Sequence, residues 1–361
     1  MLPYFTKDHG NAGSLHRFGR TARRAIDHAR EQVAQLIHAD PNEIIFTSGG
    51  TEANNMIIRG LHHKAQEPEG AILCSAIEHH SVLDVVKAQR APGNNGLALI
   101  PTASDGQISA EVAASMLTPN IRLVSIMHAN NETGVEQPIE EIVPICRDRG
   151  VHLHSDAVQS AGRIPLNVKS LPIDALTLSA HKLQGPKGIG ALYLRSQARV
   201  DPLLVGGAQE RRRRAGTENV AGIVGFGMAC ELAARNLGDF VLQTVALRDH
   251  LEQEILQRIS GAWINGGNAP RLPHISNLGF QGLEGEAIMM ALDAEGIAIG
   301  TGSACSSGSP DTSHVLLAMG QSHEEAQAAI RISLGSSTTQ RDIDTLVQTL
   351  LEIIKRLSSR S

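Results

Sequence analysis

The chain has 361 residues, of which only 2% are aromatic. Stacking platforms for bases or sugars are therefore not expected. Neither sign of charge dominates. Lys and Arg number 32 against 37 Asp and Glu, a formal net charge of −5 with no basic tail, which argues against a dedicated nucleic-acid binder. Cysteines are few and far apart, at 74, 146, 230 and 305. Such spacing makes neither a disulfide framework nor a zinc knuckle, so a reducing, cytoplasmic location is expected. Long apolar runs are also missing. The most apolar stretch, 223–234, is short and interrupted by Gly225, Gly227 and Glu231, so no membrane span is expected. The opening MLPYFTKDHG has no basic start followed by an apolar stretch, and so does not read as a signal peptide. What is present, 42% hydrophobic and 19% charged residues, is the composition of a globular protein with chain enough for two domains.

Short β-rich runs alternate with helical patterns through the first two thirds. Residues 43–47, 71–75, 97–100, 121–127, 152–156, 174–179 and 190–195 read as strands, with helices at 52–65 and 139–149. That alternation predicts an α/β fold with a mostly parallel sheet. From about Asn219 the pattern changes. Two long helices, 220–237 and 240–259, precede strands at 274–280, 297–299 and 330–334 and a helix at 285–295. A last amphipathic helix, 340–357, is capped by Thr338 or Thr339 with Asp342. A domain junction is placed near 237, giving domains of 1–237 and 238–361.

Four segments carry chemistry. LTLSAHKLQGPKGIG (176–190) delivers Ser179, His181 and Lys182 from a strand into a turn; a lysine there can form a Schiff base, although alone it reads as a solvated charge. In VHLHSDAVQSA (151–161), Asp156 ends a buried strand, and ligands of open α/β sheets sit at such carboxyl ends. An acid for a pyridinium nitrogen plus a Schiff-base lysine is the minimum kit for pyridoxal phosphate (PLP); the plain alternative is a turn cap. TSGGTE (47–52) joins a strand to a helix and suits a single phosphate, yet is also a common glycine turn. In GTGSACSSG (300–308), Cys305 lies among tiny residues and could move and react, or simply stand where a serine would. The other three cysteines have apolar neighbours and read as inert core residues.

TSGGTEANN, AIEHHSVLD, HANNETG, HSDAVQS, SAHKLQGPKGIG, RAGTEN, TGSACSSG and IRISLG occur in the order and spacing of the NifS/IscS-type cysteine desulfurases. The chain resembles that family of PLP enzymes, of the class V aminotransferase group, over essentially its whole length. The resemblance implies PLP-dependent transferase fold type I: a mostly parallel sheet flanked by helices, with a smaller C-terminal α+β domain carrying the cysteine loop. By resemblance, Lys182 holds PLP, Asp156 keeps the pyridine nitrogen protonated and Gln159 bonds the phenolic oxygen. His79 stacks on the ring as an acid or base. Gly50, Thr51, Ser179 and His181 hold the phosphate. Thr217 reaches the phosphate of a partner subunit, which implies a homodimer. Asn131, at the cofactor, and Arg331 grip the carboxylate of L-cysteine.

Cys305 matches the nucleophile that takes the sulfur as a persulfide while cysteine becomes alanine. The sulfur then goes to an iron–sulfur scaffold or another acceptor protein, for iron–sulfur cluster assembly or thio-modification. No intrinsic metal is implied; Cys305 is the residue that would contact a nascent iron–sulfur cluster. The run Arg211–Arg214 matches a dimer-interface loop of the family, and no nucleic acid or membrane partner is implied. Two departures stand out. The family's opening strand and turn, before the stretch matched by GNAGSLH (10–16), are absent, and the chain lacks the long tail that docks the scaffold. A cysteine or selenocysteine C–S(e) lyase on the same fold, or a shortened and weakly active paralogue, are the alternatives.

Overall fold

The computed structural model describes residues 1–64, 71–89, 97–301 and 312–359. The chain folds into two compact units. The first is Met1–Ile100, Ala110–His128 and Pro138–Leu237; the second is Pro101–Ser109, Ala129–Gln137 and Gly238–Ser361.

The first unit is built on a seven-stranded sheet. In chain order its strands are β1 (Ile44–Thr47), β2 (Ala71–Ser75), β3 (Leu97–Ile100), β4 (Ile121–Ser125), β5 (His152–Asp156), β6 (Ala175–Ser179) and β7 (Gly190–Leu194). The spatial order is β1-β7-β6-β5-β4-β2-β3. Only β7 runs against the others. Strands such as β2, β6 and β7 are buried along their full length, as expected where helices cover both faces. The helix Gly50–Lys64 packs Ala53, Met56 and Ile57 into a core with Ile45, Cys74, Val82 and Leu192. Each Met, Ile, Val or Leu among these contributes roughly 1.5–3 kcal/mol on burial. The helix Arg17–Leu36 buries Ala22, Ile26, Ala29 and Val33 along one stripe.

The second unit holds a four-stranded antiparallel sheet of β8 (Ala262–Ile264), β9 (Ile275–Phe280), β10 (Gly300–Thr301) and β11 (Ala329–Ser333), in the order β10-β11-β9-β8. Its core gathers Leu251, Ile255, Phe280, Ile288, Leu292, Ile330 and Leu350. The last helix, Gln340–Ser358, is capped by Thr339, with Asp342 completing the reciprocal pair.

Two expectations are corrected. The two long helices are one, Val220–Arg258. Gly238 does not break it, and a Cβ there would meet nothing; a single helical glycine costs only about 1 kcal/mol. By length and composition this is also a helix that could cross a membrane, although it buries Phe226 and Cys230 in the first unit's core and Leu251 and Ile255 in the second's. The strand expected at 297–299 is displaced to Gly300–Thr301, because pairing with Arg331 and Ile330, not local apolarity, decides which residues bond.

Candidate active site

In the first unit the candidate residues gather at the carboxyl ends of parallel strands. Asp156 ends β5 and is 6% exposed. Asn54 Nδ2 donates to its Oδ2 at 2.7 Å and the Val158 N–H donates to its Oδ1 at 3.0 Å. Burial pushes the carboxyl pKa up, while these two hydrogen bonds and the charges of His79 and Lys182 pull it down. A buried carboxylate held this way is suited to a cationic partner.

Asn54, itself fully buried, also donates to Ser81 Oγ at 2.8 Å. His79 caps the helix His80–Ala88. Its Nδ1 accepts from the Ser81 N–H at 3.0 Å and lies 2.8 Å from Ser81 Oγ. With an N–H aimed at Nδ1, the ring proton is assigned to Nε2. Burial is the main cause holding the His79 pKa below its usual value; Asp156 opposes that shift and Lys182 adds to it. His79 is thus a neutral imidazole at pH 7, joined to Asp156 through Ser81 and Asn54. Glu78, one residue earlier, is buried and accepts from Ser75 Oγ and the Met127 N–H, both at 2.6 Å. Burial pushes its pKa up to about 8.

Lys182 is exposed on the 3-10 turn Ala180–Leu183 that follows β6, and its charge acts on both Asp156 and His79. Its carbonyl accepts from Arg163 Nη2 at 2.7 Å. The turn closes on Gln184, in the left-handed region at φ 61°. A Cβ on Gly185 would lie 2.9 Å from the Ala180 carbonyl, so glycine is needed there. Ser179 Oγ is 2.9 Å from His181 Nδ1, and burial, then Lys182 and Lys187, lower the His181 pKa.

Gly50 opens the helix after β1, and a Cβ on it would come 2.9 Å from Val158 Cγ2. Thr51 is exposed in the first turn, where backbone N–H groups lack intrahelical partners and favour an anion. Glu52 accepts from the Ser48 N–H at 2.8 Å and pairs with Arg214. Gln159 is half-buried in the turn after β5.

Thr217 is exposed and lines a cleft of about 210 Å³ with Ser48, Glu210, Arg214 and Gly216. The backbone before it is strained: Glu210, Arg211 and Arg212 all have positive φ. A buried bidentate pair, Arg30 with Glu210 at 2.7 and 2.8 Å, anchors that turn, and Glu210 also takes the Phe46 N–H. Arg211 and Arg213 both donate to the Asn42 carbonyl.

Asn131 and Arg331 lie in the second unit and meet there. Arg331 Nη1 donates to the Asn131 carbonyl at 3.1 Å. Arg331 Nε is buried without a partner among the described residues. Cys305 falls outside the described residues. Cys74, Cys146 and Cys230 are buried, as expected; burial pushes the Cys146 thiol up to about 12 and the other two higher still. Sequence reasoning passed over Asn54, Glu78, Ser81 and Glu132, although all four sit inside the quoted motifs.

Residues 1–346 match the family described as Aminotransferase class-V. The chain belongs to the class-V aminotransferase family. Its similarity within that family is to the cysteine desulfurases. A cysteine desulfurase from Nostoc sp. is 46% identical over all 361 residues, covering 90% of that protein. The solved structure of a NifS-like protein superposes with a TM-score of 0.90 at 34% identity, covering 98% of this chain and 94% of that one. A structure of SspA in complex with cysteine gives a TM-score of 0.81 at 34% identity, with 92% of each chain covered. This class-V member thus combines a polar cluster at parallel strand ends in one unit with an asparagine–arginine pair in the other.

Proposed function

We propose that the chain is a PLP-dependent cysteine desulfurase: L-cysteine and the Cys305 thiol give L-alanine and a Cys305 persulfide. The observation that carries this reading is the buried Asp156 carboxylate at the carboxyl end of β5, bonded on both oxygens and acted on by the charge of Lys182.

The residues fit PLP. Asp156 would hold a proton at the pyridine nitrogen, a cation that compensates its burial. Gly50 lets the helix start pack closely on Val158, where a Cβ would lie 2.9 Å from Cγ2, and the N–H groups of Gly50 and Thr51, with Ser179, His181 and the Thr51 hydroxyl, would bind the phosphate. Gln159 would donate to the phenolic oxygen and Asn131 would also contact the cofactor. His79 would pack on the ring, its proton held at Nε2 by the Ser81 N–H. Bound through Lys182, PLP supplies an electron sink for the substrate Cα. Lys182 Nζ would then carry the proton that leaves Cα.

Arg331 would bind the substrate carboxylate through its planar fork, with Asn131 beside it. The sulfur leaves the cysteine side chain for the Cys305 thiolate, and a proton takes its place on the methyl of alanine. Thr217, five residues after the strained turn, would reach the cofactor phosphate of a second copy, making the working enzyme a homodimer. The persulfide would pass to an iron–sulfur scaffold or another acceptor protein in the cytoplasm.

Incubating the PLP-loaded protein with L-cysteine tests the reading. Alanine and a Cys305 peptide heavier by one sulfur atom are expected. Pyruvate with free sulfide, and no mass gain at Cys305, would instead mean a lyase.

A further inference from the structure

The second unit places a buried acid that neither the fold nor the reaction above uses. Glu132 follows Asn131 and is 4% exposed. Its N–H donates to Asn130 Oδ1 at 2.8 Å, and its carbonyl accepts from Asn277 Nδ2 at 3.1 Å. Its Oε2 accepts from Ser313 Oγ at 2.5 Å. Ser313 is also the N-cap of the helix His314–Ala318, accepting from the Leu316 N–H.

These contacts converge on Arg331. Asn277 on β9 is the cross-strand partner of Arg331 on β11, and Gly300 on β10 is its partner on the other side. A Cβ on Gly300 would lie 3.0 Å from Arg331 Nη2, so the glycine leaves room for the guanidinium. On either side of the Cys305 segment, described residues tie into this place: Thr301 through β11, and Ser313, one residue after Thr312, through Glu132.

Resting on the desulfurase reading, we propose that Glu132 is a positioning residue: it seats the Asn131–Arg331 pair for the substrate carboxylate and anchors Ser313 beside it. Burial pushes the Glu132 pKa up to about 7, while the Ser313 hydrogen bond and the Arg331 charge pull it down. Arg331 is the charged group acting on it, through space and without a hydrogen bond or ion pair between them, so an ionised Glu132 offsets part of the positive field that the guanidinium offers a substrate carboxylate. At acidic pH a neutral Glu132 leaves Arg331 to the substrate; above about pH 7 it competes.

The test uses the PLP-loaded wild type with Glu132→Gln, Glu132→Ala, Ser313→Ala and Ser313→Thr. Glutamine keeps the acceptor for Ser313 and cannot ionise. The ratio of wild-type to Glu132→Gln KM for L-cysteine should be near one at low pH and rise about fivefold above neutrality, with kcat little changed. Glu132→Ala and Ser313→Ala should each raise KM about tenfold, and Ser313→Thr should restore it. A second readout is binding of L-alanine followed by emission of Trp263, the chain's single tryptophan. Its indole reaches Glu132 through Asn265 and Asn277, and the affinities should follow the same order. An active wild type with a flat KM ratio and unchanged alanine variants overturns the role of Glu132 alone. A wild type that makes no alanine overturns the desulfurase reading, and this inference with it.

Discussion

In the first unit, Asp156 ends one parallel strand and Glu78 lies just beyond another, where backbone N–H groups and the Asn54 amide hold them. In the second, Glu132 lies near an arginine that cross-strand register places on an antiparallel sheet. A parallel sheet brings several loops to one rim, so groups distant in sequence converge without pairing to one another. An antiparallel sheet aims one side chain through its two neighbouring strands. Changes in the first unit should therefore strike the cofactor and the folded state, and changes in the second the affinity for substrate.

The sharpest way to break that division is Lys182→Ala. Activity should fall by about 10³-fold or more, and the visible absorption of the bound cofactor should vanish. Arg331→Lys should keep the cofactor absorption and raise KM for L-cysteine by roughly tenfold, because an ammonium cannot form the two-toothed contact. Loss of cofactor in that variant would erase the contrast between the units. Asn54→Ala should lower unfolding stability by about 1–3 kcal/mol in denaturant titrations, since it strips a buried carboxylate of its donor.

The smallest effect concerns pH. The folded-state pKa of Glu78, about 8, lies above the ordinary glutamate value of 4.5. Between these values the folded protein holds a proton that the unfolded chain releases. Glu78 therefore lowers stability as pH rises through that window, and the loss is complete above about pH 8. Glu78→Gln should flatten the fall of Tm with pH over the same range. An unchanged slope would assign the pH dependence to other groups.

Much of the fold is legible in the amino-acid order alone. β2 and β3 begin and end where their short apolar runs do, whereas β5 (His152–Asp156) holds a single apolar residue and is legible from its place between a helix and a turn. The short β8 and the displaced β10 are not, since two or three residues carry no periodicity and their partners lie far off in the chain. The helix Arg17–Leu36 is missed, though its apolar spacing is regular. At the candidate site, motif order points to Asp156, Lys182 and His79. Asn54, Ser81 and Glu132 stay hidden because an amide, a hydroxyl and an acid look ordinary until burial and hydrogen bonds give them a task.

Borohydride reduction of the PLP-loaded protein, followed by peptide mass mapping, tests the central claim most directly. The pyridoxyl mass should appear on the peptide containing Lys182 and be absent from Lys182→Ala. A label on another lysine, or none at all, would contradict the assignment of the cofactor to the strand ends around Asp156.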